Sequence, residues 1–148
     1  MIITRSLDLS LILAATLLAT SAFAQDNPSL EVIVSGAVAD KGQVIISVFD
    51  SPDAHLKAPI VELRDPVDGT GIAPFVVKDL ARGRYSVSAV YDLDSSGELN
   101  TGLFGIPTEP VGFSSNAKGM FGPPGFDDTS FLFDKDMKVE IVLTNVSN

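Results

Sequence analysis

Short segments with an apolar side chain at every second position constrain the fold of this chain more than any other feature. Such alternation is typical of a β-strand with one buried face. Clusters of Gly, Pro, Asp and Ser, which are ordinary turn residues, separate the segments at intervals of about 8–12 residues. The predicted strands cover residues 30–35, 43–49, 60–63, 75–80, 85–91, 129–133 and 137–143. Because no amphipathic helical pattern interrupts this series, the sequence predicts an all-β fold, a β-sandwich of about seven strands.

Two local features refine this prediction. A single turn around residues 40–42 separates the first two predicted strands, so we expect them to form a hairpin or a close pair. The motif Leu80-x-x-Gly83-x-Tyr85 is typical of a tyrosine corner, in which the hydroxyl bonds back to the preceding backbone. Gly83 would permit a tight turn there. The alternative is a Tyr85 ring that only packs, and either interpretation gives Tyr85 a structural role.

One long segment lacks the alternation. Residues 101–128 contain six Gly and four Pro within 28 residues. Loops of this length in a compact domain are uncommon and are usually functional or disordered. Eight apolar residues predict that this loop packs against the domain instead of extending into solvent. They are Leu103, Phe104, Ile106, Val111, Phe113, Met120, Phe121 and Phe126.

The first 24 residues have the pattern of a secretory signal peptide. Arg5 precedes a ten-residue apolar run from Leu9 to Leu18, and Ala22-Phe23-Ala24 forms a small-residue cleavage site. A membrane-spanning helix needs about 20 apolar residues, which is more than this run provides. We therefore expect export to the periplasm, the cell surface or the medium. The mature chain, residues 25–148, is expected to form a single β-sandwich domain without a transmembrane segment.

Composition limits the partners and the chemistry. The net charge of −9 disfavours nucleic acid and anionic membranes, because both are bound through Lys and Arg. It is compatible with binding of cations. The chain has no Cys, which excludes disulfides and thiol chemistry, and its 45% of hydrophobic residues must supply the core instead.

The segment from Asp92 to Asn100 has the ligand spacing of a calcium loop. In an EF-type loop, oxygen ligands at positions 1, 3, 5, 7 and 9 surround one ion, and Gly at position 6 permits a sharp turn. Gly97 stands at position 6, and Leu103 stands at position 12 in place of the usual bidentate Glu. The candidate ligands are Asp92, Asp94, Ser96, Glu98 through its carbonyl, Asn100 and, from the following loop, Glu109. The alternative is a solvated hairpin turn, since Asp, Ser and Gly are common turn residues.

Catalytic motifs are weak by comparison. His55 is the single His, no G-x-S-x-G motif accompanies it, and the sequence indicates a solvated loop residue. With one His and no Cys, zinc is disfavoured. Carboxylate pairs such as Asp127 and Asp128 could serve glycoside hydrolysis, although that reaction requires a large cleft.

Several motifs together resemble a known family. They are Phe75-x-x-x-x-Leu80-x-x-Gly83-x-Tyr85, Asp92-x-Asp94-x-Ser96-Gly97-x-Leu99-Asn100, Gly105-Ile106-Pro107-x-Glu109-Pro110-x-Gly112-Phe113-Ser114-x-Asn116 and Phe121-Gly122-Pro123-Pro124-Gly125-Phe126-Asp127-Asp128. This pattern resembles the domain-of-unknown-function 2141 family of bacterial exported proteins. The resemblance implies a secreted β-sandwich of immunoglobulin-like or prealbumin-like type with no established activity. Where the family has His, Asn and Asp across the acidic turn, this chain has Tyr91, Ser96 and Asn100.

These observations favour a non-enzymatic exported module of the cell envelope that binds a partner or has a structural role. Its recognition face would be the loop 101–128, stabilised by calcium at residues 92–100, and its partner an unknown envelope or extracellular component. One alternative is a small glycan hydrolase that uses Asp92, Asp94 and Glu109. A second is a carrier of a small apolar ligand, lined by the phenylalanines of the loop.

Overall fold

Eight strands in the described part of the chain form two sheets. A computed structural model describes residues 28–146, so the predicted signal peptide lies outside the described residues. The strands are β1 Leu30–Ser35, β2 Gln43–Phe49, β3 Val61–Pro66, β4 Ile72–Val77, β5 Gly83–Asp92, β6 Val111–Phe113, β7 Phe131–Phe133 and β8 Met137–Val142. One sheet has the order β4-β1-β8, and the other has the order β3-β2-β5-β6, with β7 paired to the start of β5. The predicted all-β, sandwich-like fold is confirmed.

The core lies between the two sheets. The alternating apolar residues of β1, β2, β4, β5 and β8 all point into it. In β5, for example, Tyr85, Val87, Ala89 and Tyr91 are buried members of this core. Full burial of a Val, Leu or Ile side chain stabilises a fold by about 1.5–3 kcal/mol. The two-residue period is therefore the main determinant of which face of each strand turns inward.

The expected pairing of β1 with β2 is wrong. β1 pairs with β4 in antiparallel and with β8 in parallel orientation, whereas β2 pairs with β3 and β5 in the other sheet. Residues 36–42 cross from one sheet to the other, and Gly36 and Asp40 adopt positive φ angles of 97° and 55°. The two strands are neighbours in sequence, but they cover the core from opposite sides.

The tyrosine corner is confirmed at Tyr85. Its hydroxyl donates to the carbonyl oxygen of Ala81 at 2.9 Å, and its ring meets that of Phe133 edge to face at 6.2 Å between centroids. Burial, with a smaller contribution from the charge of Asp50, raises the pKa of Tyr85. A Cβ atom on Gly83 would lie 3.2 Å from the Tyr85 ring. Gly83 therefore provides space for the ring, and not the tight turn that the sequence indicated.

The long loop contains more structure than its composition predicts, and it packs less completely. It includes β6, two short 3-10 turns at Leu103–Gly105 and Ser114–Asn116, and the beginning of the four-residue helix α1, Phe126–Thr129. Val111 and Phe126 are buried as expected. The expectation of packing is wrong for five of the eight apolar residues, which are exposed because they lie at the tips of turns; they are Leu103, Phe104, Ile106, Met120 and Phe121.

Between residues 28 and 146, no helix has both the length and the apolar character required to cross a membrane.

Candidate functional site

The outward-facing side chains of β5 connect three features of the molecule. Ser86, Ser88, Val90 and Asp92 alternate with the core residues and therefore face away from the core. Ser86 contributes to a buried polar cluster at one end of the strand, and Asp92 to an acidic site at the other end. Ser88 and Val90 line a groove between them.

Asp92 is the centre of the acidic site. It ends β5, it is fully buried, and it lies opposite Gln43 of β2, whose side-chain amide donates to Oδ2 at 2.7 Å. The N–H of Ser96 donates to Oδ1 at 2.9 Å and the N–H of Gly97 donates to Oδ2 at 2.7 Å. Burial by itself would raise the pKa of Asp92, but the hydrogen bonds from Gln43, Gly97 and Ser96 together outweigh burial and hold the pKa below its ordinary value. Asp92 is therefore an ionised carboxylate that organises the loop around itself.

Gly97 is required where the loop turns back toward the sheet. Its φ angle of +85° lies in the left-handed region, which L-residues with a side chain rarely adopt. A Cβ atom at this position would also lie 3.3 Å from Nη1 of Arg64 on the neighbouring strand β3. The guanidinium of Arg64 thus borders the acidic loop from outside.

Glu109 closes the site from the far end of the following hairpin. Although it is buried, both of its carboxylate oxygens are occupied: Oε1 accepts the N–H of Leu93 at 3.0 Å, and Oε2 accepts the N–H of Asn100 at 2.9 Å. The N–H of Thr108 in turn donates to the carbonyl oxygen of Asn100 at 2.9 Å. These bonds close the base of a small hairpin whose sides meet at Thr101 and Pro107.

Three of the six predicted ligands converge. Asp92, Asp94 and Glu109 each offer a carboxylate oxygen, and these oxygens lie within 4.8 Å of one another, so the three residues could hold a metal ion. Of the ion pairs found within residues 28–146, none involves these carboxylates. Like charges at such distances repel each other, and neutral N–H and O–H donors partly compensate them here.

The other predicted ligands form hydrogen bonds within the loop. The hydroxyl of Ser96 donates to the carbonyl oxygen of Glu98 at 3.2 Å, and the side-chain amide of Asn100 donates to Asp94 at 3.1 Å. Tyr91 is buried, and its hydroxyl donates to the carbonyl oxygen of Lys41 at 2.9 Å. The structure therefore brings the carboxylates together and leaves the neutral candidates in supporting positions.

The interpretation of His55 as a solvated loop residue is wrong. His55 is buried, and its ring meets those of Phe49 and Phe126 edge to face. Nε2 lies 3.0 Å from the carbonyl oxygen of Pro124, and Nδ1 lies 3.3 Å from Oγ of Ser86. A carbonyl can only accept, so Nε2 carries a proton and donates to Pro124. In the neutral ring, Nδ1 then accepts from the hydroxyl of Ser86.

This cluster extends through hydroxyl groups into the long loop. Oγ of Ser86 lies 2.8 Å from Oγ1 of Thr129, and because the Ser86 proton is directed at Nδ1, the Thr129 hydroxyl is the donor of this bond. The hydroxyl of Ser114 accepts the N–H of Val87 at 2.9 Å and donates to the carbonyl of Thr129. Ser86 is completely buried and both ring nitrogens of His55 are engaged, so the pair holds the loop and is not exposed to a substrate. No local sequence pattern indicates the His55 cluster, since its members come from four separate segments.

A groove lies over the outer face of the larger sheet, between these two clusters. It offers about 1470 Å³ of space, and its floor includes Ser47, Ser88 and Phe113, which pair across β2, β5 and β6. One wall is the hairpin of residues 101–107, which carries Phe104. The other wall is the segment 117–124, which carries Phe121. The acidic site thus anchors the base of one wall, and the His55 cluster anchors the other through Pro124.

Comparison with known proteins places the chain in a family but gives no characterised relative. Neither the curated proteins nor the solved structures include a match. A family model described as "Uncharacterized protein conserved in bacteria (DUF2141)" matches residues 32–141, which include both clusters and most of the groove lining. The chain belongs to this family of uncharacterised bacterial proteins.

Proposed function

We propose that this protein is a non-enzymatic exported binding module of the cell envelope, stabilised by calcium at Asp92, Asp94 and Glu109. Its recognition face is the groove and the two walls that the long loop forms. The observation that carries the proposal is the convergence of three carboxylates at the base of one wall, with no Lys or Arg of residues 28–146 in a salt bridge to them.

The donor set favours calcium among the common metal ions. Carboxylate and carbonyl oxygens are the ligands of hard cations, whereas zinc prefers nitrogen and sulfur. Calcium accepts an irregular set of six to eight oxygens, and water can complete a shell that three carboxylates begin. Magnesium requires near-ideal octahedral geometry and gives up its own water reluctantly.

A bound ion would act on the wall of the groove. Asp92 and Asp94 precede the hairpin 101–107, and Glu109 follows it. An ion shared by these residues would fix both ends of the hairpin, in addition to the hydrogen bonds from Glu109 to Leu93 and Asn100. Calcium would thereby restrict the motion of Phe104 at the hairpin tip.

The geometry offers less support for the glycan hydrolase alternative. Hydrolysis requires one carboxylic acid that protonates the leaving oxygen and one carboxylate that attacks or activates water. Asp92 and Glu109 are both buried and both use their oxygens to accept backbone N–H groups. None of Asp92, Asp94 and Glu109 lines the groove, so none is directed at a cleft large enough for a sugar.

Calcium dependence of thermal stability tests the proposal. Extracellular calcium modules bind with a Kd of about 10⁻⁴–10⁻³ M. Addition of 10 mM calcium to chelator-treated protein should then stabilise the fold by about 1.4–2.7 kcal/mol and raise the Tm by about 5–10 °C. Magnesium should have a much smaller effect.

The variant Asp94→Asn provides the sharpest control, because Asp94 is exposed and its replacement leaves the buried bonds of Asp92 intact. It should remove most of the calcium shift without unfolding the protein. Asp53→Asn, an exposed carboxylate in another turn, should leave the shift unchanged. An identical Tm of wild-type protein with calcium and with chelator would overturn the metal assignment.

The exported state has a separate test. If residues 1–24 form a cleaved signal, N-terminal sequencing of protein from the envelope or the medium should begin at Gln25. Mature protein that still carries residues 1–24 would contradict export by this route.

A further inference from the structure

The groove combines exposed apolar walls with a local charge opposite to that of the whole protein. Phe104 and Phe121 stand at the tips of the two walls and are essentially fully exposed to solvent, and Met120 is 89% exposed. Single exposed apolar residues are normal on a protein surface, but several on facing walls of one groove mark a binding site. Phe104 also adopts a φ of 61°, a conformation that is unfavourable for a residue with a side chain.

The charged side chains that line the groove are Lys57, Lys118 and Glu62. Glu62 is neutralised by Arg64, whose Nη2 lies 2.6 Å from its carboxylate. Neither lysine takes part in an ion pair within residues 28–146. The groove therefore carries two uncompensated positive charges in a protein whose net charge is −9.

We infer that the groove binds an anionic amphiphile of the fatty-acid type. The hydrocarbon chain would lie between the walls, against Phe104, Ile106 and Phe121, and the carboxylate would lie near Lys57 or Lys118. This inference rests on the proposed role of the long loop as a recognition face, but it does not depend on calcium. A single amphiphile suits the site better than a macromolecule, because it adds one negative charge at the lysines and avoids the rest of the acidic surface.

Two other occupants are less compatible with the charge distribution. A second copy of the chain would bring another net charge of −9 against the first. An anionic bilayer would be repelled by the same surface over about 8–10 Å, the screening length at physiological salt. Both remain distinguishable outcomes of the experiment.

The test is calorimetric titration of the delipidated mature protein with palmitate below its micellar concentration, with hexadecanol as the uncharged probe of equal chain length. Palmitate should bind saturably at one molecule per chain. Hexadecanol should bind about 2–30 times more weakly, since it lacks the contacts of a carboxylate with two exposed lysines. Equal binding of both probes would overturn the role assigned to the lysines.

Paired variants separate the two halves of the site. The double variant Lys57→Gln and Lys118→Gln should weaken the binding of palmitate by about 2–30-fold and leave the binding of hexadecanol unchanged. Phe104→Ser with Phe121→Ser should weaken both probes by about tenfold or more, because two large apolar contacts are lost. Lys135→Gln and Leu132→Ser, which are exposed but lie outside the groove, should change neither affinity. Circular dichroism and melting curves establish that each variant is folded.

Failure of this inference is distinguishable from failure of the proposed function. Absence of saturable palmitate binding in protein whose Tm still rises with calcium would overturn the ligand class alone. Palmitate binding without a calcium-induced rise in Tm would support the ligand site in the groove and overturn the calcium assignment. Flotation with phosphatidylglycerol vesicles, or dimerisation abolished by Phe121→Ser, in protein that does not bind palmitate would overturn the inference in favour of a membrane or a second copy.

Discussion

At one end of β5 neutral groups hold the long loop, and at the other end carboxylates hold it. Around His55 and Ser86, ring nitrogens and hydroxyls are paired with donors and acceptors of the opposite kind, and no carboxylate takes part. Around Asp92 and Glu109, the side chains that converge are carboxylates, which can only accept. Their hydrogen-bond donors are mostly backbone N–H groups. The first cluster therefore needs no counter-ion, whereas the second brings three carboxylates close together. Dependence on a cation is therefore expected at one end only.

The largest effect should come from Asp92→Ala in the absence of calcium. The substitution removes one of three repelling charges, which favours folding, but it also removes the charged acceptor of the Gly97 N–H and the Gln43 amide and leaves the N–H of Ser96 with Asp94 alone. Hydrogen bonds to a charged group contribute about 1.5–3 kcal/mol each, so we expect a net loss of about 3 kcal/mol or more in urea unfolding with chelator present. Unchanged or increased stability would show that repulsion is the dominant effect in the acidic site.

At the neutral end, His55→Phe should have an intermediate effect. Phenylalanine retains the ring contacts with Phe49 and Phe126 but leaves the Pro124 carbonyl without its donor and the Ser86 hydroxyl with Thr129 as its remaining partner. We expect a loss of about 1–3 kcal/mol in the free energy of unfolding. The calcium-induced rise in Tm should equal that of wild-type protein, and a smaller rise would mean that the two ends are coupled through the groove.

The difference between the two ends also explains what could be predicted from the sequence. The acidic site consists mostly of residues within one short loop, so the spacing of Asp92, Asp94 and Gly97 was sufficient to indicate it. Glu109 was accessible to prediction because only one hairpin separates it from the loop. The His55 cluster has no such signal: Ser86 lies 31 positions from His55, and Pro124 lies 69 positions away. Such contacts arise from the tertiary fold, which places β5 under the loop.

In the fold, too, features set by local sequence were predictable and features set by tertiary pairing were not. Alternation within a strand depends on local sequence and on burial of one face, which is why β1 and β2 match their predicted ranges. Pairing between strands depends on the crossover between sheets, and the turn at residues 36–42 gave no indication of it. β6 was missed because its three residues lie within a Gly- and Pro-rich segment, and their pairing with β5 is what makes them a strand.

The smallest effect on stability, and the finest test of the electrostatic difference, should come from Arg64→Gln. Arg64 is exposed and pairs with Glu62 on the same strand, and such surface pairs contribute about 0–1 kcal/mol. Its guanidinium also borders Gly97, so it places a positive charge beside the acidic loop that calcium would enter. Removal of that charge should leave Tm in chelator nearly unchanged and strengthen calcium binding in a titration at low salt. The gain in calcium affinity should disappear in about 1 M salt, where the screening length falls to roughly 3 Å.

The matched control is Arg82→Gln, because the Arg82 side chain bonds to the carbonyl of Asp134; this variant should not alter calcium affinity. If Arg64→Gln weakened calcium binding instead, Arg64 would be a positioning residue for the loop, and its charge would not be the property that matters.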